Sequence, residues 1–264
     1  MMNIRPPAFA GTFYPEDEEK LKKDIEKYLK DVRPEKVNGK IKALILPHAG
    51  YEYSAPVAAH GYKLLQEATV QQPISNIILI GPSHKVTFTN IGLTSYNFWR
   101  TPLGIVQLSP LSQELKDESD FSLVNEAHLF EHSIEVQLPF LQSVLKEFKI
   151  TPLVCGRLNA FKEIAATINE HLNEETLIII SSDLSHYLPY KEACETDKET
   201  IDAILALDSF IEANQACGVD GILILNEVAK ANKWKTKLLD YRNSGDTAGD
   251  KTQVVGYASI VYYE

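Results

Sequence analysis

Three stretches of the chain share one pattern of apolar and polar positions. Asn76-Ile77-Ile78-Leu79-Ile80-Gly81-Pro82-Ser83-His84 is an apolar run cut off by Gly-Pro and ending in a histidine. Ile41 to His48 (IKALILPH) and Thr176 to His186 (TLIIISSDLSH) repeat it. Runs this short, rich in branched residues and closed by turn formers, predict strands buried on both faces, as inside a parallel sheet. Each strand passes through a small-residue or proline turn and then delivers a histidine. Ligands of open α/β sheets bind outside the carboxyl ends of the strands. Three strands aiming three histidines at one edge therefore mark that edge as functional.

The rest of the pattern reads as scaffold. Arg5 to Pro15 is punctuated by Pro and Gly and reads as irregular, with Phe9, Phe13 and Tyr14 packing it onto the body. Glu16 to Val32 carries Leu21, Ile25, Tyr28 and Leu29 on one stripe, the mark of an amphipathic helix. Further helices are predicted at 55–68, 110–118, 131–148, 160–172, 189–207, 208–215 and 219–232, with Pro139 kinking or breaking the fourth of these eight. Shorter strands are predicted at 91–95, 104–108 and 150–155, and a closing pair at 235–241 and 254–262. The loop 243–250 between that pair, with two Gly and two Asp, suits either a mobile lid or a plain solvent loop. Strands alternating with helices predict a three-layer α/β domain whose mixed, mostly parallel central sheet is flanked by helices. With no repeat or linker, residues 1–264 read as one domain.

Composition narrows the function classes. With 26 Lys and Arg against 36 Asp and Glu, the net charge is −10, and no basic run offers itself to a nucleic-acid backbone. A local pocket can still take an anionic substrate. Cys155, Cys194 and Cys217 are odd in number and form no CxxC, which points away from a disulfide framework and toward a reducing cytoplasm. Neither a leader-like apolar segment nor a run of membrane-spanning length is present. The expectation is a soluble, cytoplasmic protein.

His48 and His84 are the first candidates for chemistry. A lone histidine at a strand end more often just hydrogen-bonds its loop. Two on adjacent strands, whose ends lie about 4.8 Å apart, favour a mononuclear metal site, for which neutral imidazole is the commonest ligand. Asp183 and His186 could form an acid/base pair, or Asp183 could orient a metal-bound imidazole; the Ser-Ser-Asp stretch could equally cap a helix. Glu131 and His132 open a predicted helix, where a carboxylate also suits the macrodipole. Cys217, at a helix break, would have a lowered pKa at a helix N-terminus, although an isolated Cys is more often a small buried hydrophobe. Tyr51, Tyr53 and Ser83 complete the expected pocket. His60, His171, Cys155 and Cys194 read as structural or exposed. No GxGxxG follows the first strand, and Walker A, HExxH and GxSxG are missing.

Taken in order, RPPAFAGTFYP (5–15), PHAGYEYS (47–54), GPSHK (81–85), WRTPLG (99–104), EHSIEVQLPF (131–140), SSDLSHY (181–187), ACG (216–218) and NSGDTAGD with VVGY (243–257) resemble the Memo-like family. That family is similar in fold to class III extradiol ring-cleavage dioxygenases. The resemblance implies a mononuclear iron or copper site on His48, His84 and Cys217, with Asp183, His186, Glu131 and His132 at pocket positions. It also implies a link to cellular redox state and, in microbes, association with a radical-SAM protein. Extradiol cleavage uses two His and one carboxylate; here the third matching position is a thiol, which favours copper or iron–thiolate chemistry and is itself oxidisable. The functions in view are a redox-active metalloprotein of oxidoreductase type, a binding module holding a small molecule, anion or peptide without turnover, and a metal-assisted hydrolase.

Overall fold

The computed structural model describes residues 3–264. The chain opens with β1 (Ile4–Arg5), α1 (Glu18–Asp31), β2 (Ile41–Leu46), α2 (Tyr51–Ala68) and β3 (Asn76–Pro82). Next come β4 (Ile91–Leu93), β5 (Phe98–Thr101), β6 (Gly104–Leu108), α3 (Leu111–Glu114), β7 (Phe121–Leu123), α4 (Asn125–Leu129), α5 (His132–Glu135) and α6 (Leu138–Val144). The chain continues through β8 (Lys149–Cys155), α7 (Phe161–Glu170), β9 (Thr176–Ser181), β10 (His186–Leu188) and α8 (Tyr190–Leu205). It closes with α9 (Val219–Asn232), β11 (Lys235–Asn243), α10 (Ser244–Thr247) and β12 (Val254–Tyr263).

Among the described residues, all the strands join one 12-stranded sheet, with the order β1-β5-β6-β8-β3-β9-β2-β12-β10 along its main path. Its centre, β8-β3-β9-β2, is parallel, and β12 adds antiparallel to β2. The apolar runs are continuous because both faces are covered. Leu44, Leu46, Ile77, Leu79, Leu177 and Ile179 join the core under α1, α2 and α6. Their neighbours Ala43, Ile45, Ile78, Ile80, Ile178 and Ile180 join the core under α7, α8 and α9. The three-layer α/β expectation therefore stands, with a mixed, mostly parallel sheet.

Several local expectations change. β2 and β3 are not neighbours: β9 lies between them, so the loops bearing His48 and His84 converge across the end of a third strand. Residues 131–148 form two short helices, α5 and α6, with Pro139 at the start of the second, where its missing N–H costs nothing. Residues 208–215 form turns rather than a helix. The loop 243–250 contains the short helix α10, fixed by an Asn243–Asp246 capping box, a local constraint that opposes the mobile-lid reading. Helix α2 starts at Tyr51, not Ala55, and β5 forms a hairpin with β6.

Candidate metal centre

β2 ends at Leu46, and Pro47 carries the chain to His48, whose side chain is buried. β3 ends in Gly81-Pro82 and leads to His84. Gly81 is needed there: a Cβ would lie 2.6 Å from Ser133 Oγ, so the short helix carrying His132 could not approach. The donor atoms of His48, His84 and His132 all lie within 4.8 Å of one another. Ring centroids are 4.4 Å apart for His84 and His132 and 5.2 Å for His48 with either. Phe13 closes one wall, its ring 4.5 Å from that of His132.

Glu131 ties two of the rings together. Its Oε1 pairs with His84 Nδ1 at 2.8 Å and lies 3.3 Å from His132 Nδ1, while its Oε2 accepts from the His84 backbone N–H. Burial alone would raise this carboxyl, but the hydrogen bonds and charge of His84 hold it at about 2. An ionised Glu131 accepts a hydrogen bond from His84 Nδ1, the contact that orients an imidazole to ligate through its other nitrogen. Burial, reinforced by the neighbouring histidines, lowers His48 and His132 to about 3. Both are therefore neutral at pH 7, the form that ligates a metal.

Cys217 stands beside this trio. Its Sγ lies 3.2 Å from His48 Nε2 and accepts from the Asp183 backbone N–H at 3.2 Å. The chain reaches it because Gly218 packs against the end of β9: its N–H donates to Ser182 Oγ, and a Cβ would meet Ser182 Cβ at 2.6 Å. The expectation of a lowered thiol pKa is overturned. Burial, then the charge of Asp183, pushes the Cys217 thiol up. The sulfur precedes α9 by two residues and gains too little from its dipole to offset desolvation.

Asp183 and His186 do not form a hydrogen-bonded pair. Asp183 Oδ1 accepts from the His48 backbone N–H at 2.7 Å, and Oδ2 lies 3.9 Å from His48 Nε2. Burial raises its pKa despite that hydrogen bond. His186 lies on β10, its ring 5.8 Å from exposed Tyr187. Tyr51 is in the core, donating to Val136 O. Ser83 Oγ donates to Val86 O and lines a 220 Å³ cleft with Cys217, Arg157 and Asp220. Burial lifts the Asp220 carboxyl to about 6. Tyr53 is exposed. Sequence reasoning missed Gln137 and the role of Ser181, which carry the hydrogen bonds behind His48. The available signal was a polar residue set inside an apolar stretch, IEVQLPF.

The donor chemistry fits a metal: three clustered imidazoles, two with Nδ1 hydrogen-bonded, and an adjacent thiol. Fold and site together define an α/β protein with a histidine cluster at the carboxyl edge of its sheet. A family model described as "Memo-like protein" matches residues 5–261. A MEMO1 family protein of Aquifex aeolicus is 38% identical over 274 residues, covering 99% of this chain and 100% of that one. Relatives of the same description from Sulfurisphaera tokodaii (36% identical; 97% and 98% covered) and Methanosarcina acetivorans (38%; 98% and 99%) match as fully. The chain belongs to the Memo-like family. No described helix is long and apolar enough to cross a membrane.

Proposed function

We propose that this chain is a redox-related metalloprotein holding one iron or copper ion on His48, His84 and Cys217, with His132 as a further donor. The observation that carries this reading is the convergence of three histidines from separate segments of the chain within 4.8 Å, two of them held neutral by burial. The thiol is nearer the His48 ring than the Asp183 carboxylate is, 3.2 Å against 3.9 Å, which favours a His/Cys set over the His/carboxylate set of extradiol dioxygenases. A bound iron or copper ion would supply one-electron chemistry and Lewis acidity. Glu131 holds the His84 ring and keeps its proton on Nδ1. Asp183 fixes the His48 main chain. The cleft past Ser83, Arg157 and Asp220 gives a small molecule a route to Cys217.

Elemental analysis of protein purified without chelator or affinity metal tests this reading. Near-stoichiometric iron or copper, lost in His84→Ala and Cys217→Ala, is expected. A metal-free protein that cannot be loaded under anaerobic conditions would overturn it and give the lead to a non-catalytic binding module.

A further inference from the structure

His48 is backed by a chain of hydrogen bonds in which every proton can be assigned. Ser181 Oγ touches three partners: Ser133 O at 2.5 Å, Gln137 Nε2 at 2.7 Å and His48 Nδ1 at 3.0 Å. A hydroxyl has one proton and two lone pairs. Ser133 O is a carbonyl and can only accept, so it takes the Ser181 proton. The Gln137 amide is fixed in the same way. Its Nε2 faces Pro47 O, another pure acceptor, at 3.0 Å, and its Oε1 accepts from Tyr62 Oη at 2.6 Å. Its second N–H therefore points at Ser181 Oγ and fills one lone pair. The remaining lone pair can only receive a proton from His48. Tyr62, Ser133, Gln137, Ser181 and His48 are all at most 1% exposed, so water does not offer an alternative partner.

We infer that Ser181, set in place by Gln137 and Tyr62, is a positioning residue that fixes His48 in the Nδ1–H tautomer and presents the Nε2 lone pair to the centre. The ring nitrogen that carries the proton is set by the hydrogen bond the other side makes. A buried hydroxyl at full capacity leaves only one answer. The arrangement parallels Glu131 behind His84 but uses neutral groups, so its direction does not depend on pH while His48 stays neutral. That the lone pair serves a metal rests on the function proposed above; the tautomer does not.

Two-bond proton–nitrogen correlation spectra of the metal-free protein at neutral pH test the assignment, with His48→Gln identifying the His48 signals. The expected parent spectrum is that of a single Nδ1–H tautomer. Ser181→Ala should bring in the Nε2–H form and weaken zinc(II) binding, used as a redox-inert probe, by about 10- to 100-fold. Ser181→Thr, which keeps the hydroxyl, should restore both. An Nε2–H signature in the parent, or no change in Ser181→Ala, overturns the inference. The parent spectrum carries the test even where a variant does not fold. An Nδ1–H parent that binds no metal supports the tautomer and defeats the metal reading.

Discussion

Glu131 and Glu135 sit four positions apart around one short helical turn, and both are buried. Glu135 accepts from Arg5 Nη1, from the backbone N–H groups of Ala8 and Phe9 and from Tyr14 Oη. Arg5 is itself fully buried, lies 4.2 Å over the Trp99 ring and donates to the carbonyls of His128 and Glu131. Glu131 instead faces two imidazoles. One carboxylate is committed to a guanidinium, a phenol and backbone N–H groups; the other is committed to imidazole rings. The difference lies in the partners, since both carboxylates are buried.

Arg5→Ala leaves Glu135 buried without its counter-charge and should cost about 3–5 kcal/mol by chemical denaturation; a loss under about 1 kcal/mol would remove the distinction between the two sites. Glu131→Gln should act chiefly on the centre, weakening metal binding by about 10- to 100-fold with a smaller loss of stability. Gly218→Ala should cost about 1 kcal/mol or more, because the start of α9 must back away from Ser182. Metal-loading calorimetry in buffers of different ionisation enthalpy should then show about one proton released per ion at pH 7, from the Cys217 thiol that burial keeps protonated. Cys217→Ala should lose that release. Lys22→Ala, which breaks an exposed pair with Glu18, should leave the melting temperature unchanged.

The pH dependence of the metal-free protein sharpens the same comparison. His48 and His132 lie at about 3 when folded against 6.5 ordinarily, so between those values the unfolded chain binds more protons. Their contribution to stability is complete above about pH 6.5 and is lost as pH falls toward 3. Glu131, at about 2 against 4.5, adds a loss over that lower window. His132→Gln should flatten the upper part of the acid limb in denaturation midpoints measured across pH. A Glu135 substitution should leave that upper part in place.

The three buried-strand runs were readable because strands buried on both faces leave an unbroken apolar signature; His48 and His84 stand just past the ends of theirs, whereas His186 belongs to β10 and lies outside the histidine cluster. Their order in the sheet was not readable. Nothing in IKALILPH or NIILIGPSH states that TLIIIS inserts between them, because parallel neighbours are chosen by crossover helices far along the chain. Cys217 was a reasonable candidate, but its protonation depends first on burial and then on Asp183, a contact 34 residues away in sequence. Glu131 could be read as a helix-cap carboxylate, and it does cap α5 through Ser133 N. Its second role depends on His84, 47 residues earlier.

Cys217 meets His48 across 169 residues, and Arg5 meets Glu135 across 130. Contacts of such separation form after the loops they close, which is a slow route for a folding chain. The helices and hairpins can assemble while the histidines remain apart. The centre is complete only once the segment bearing Cys217 has reached His48.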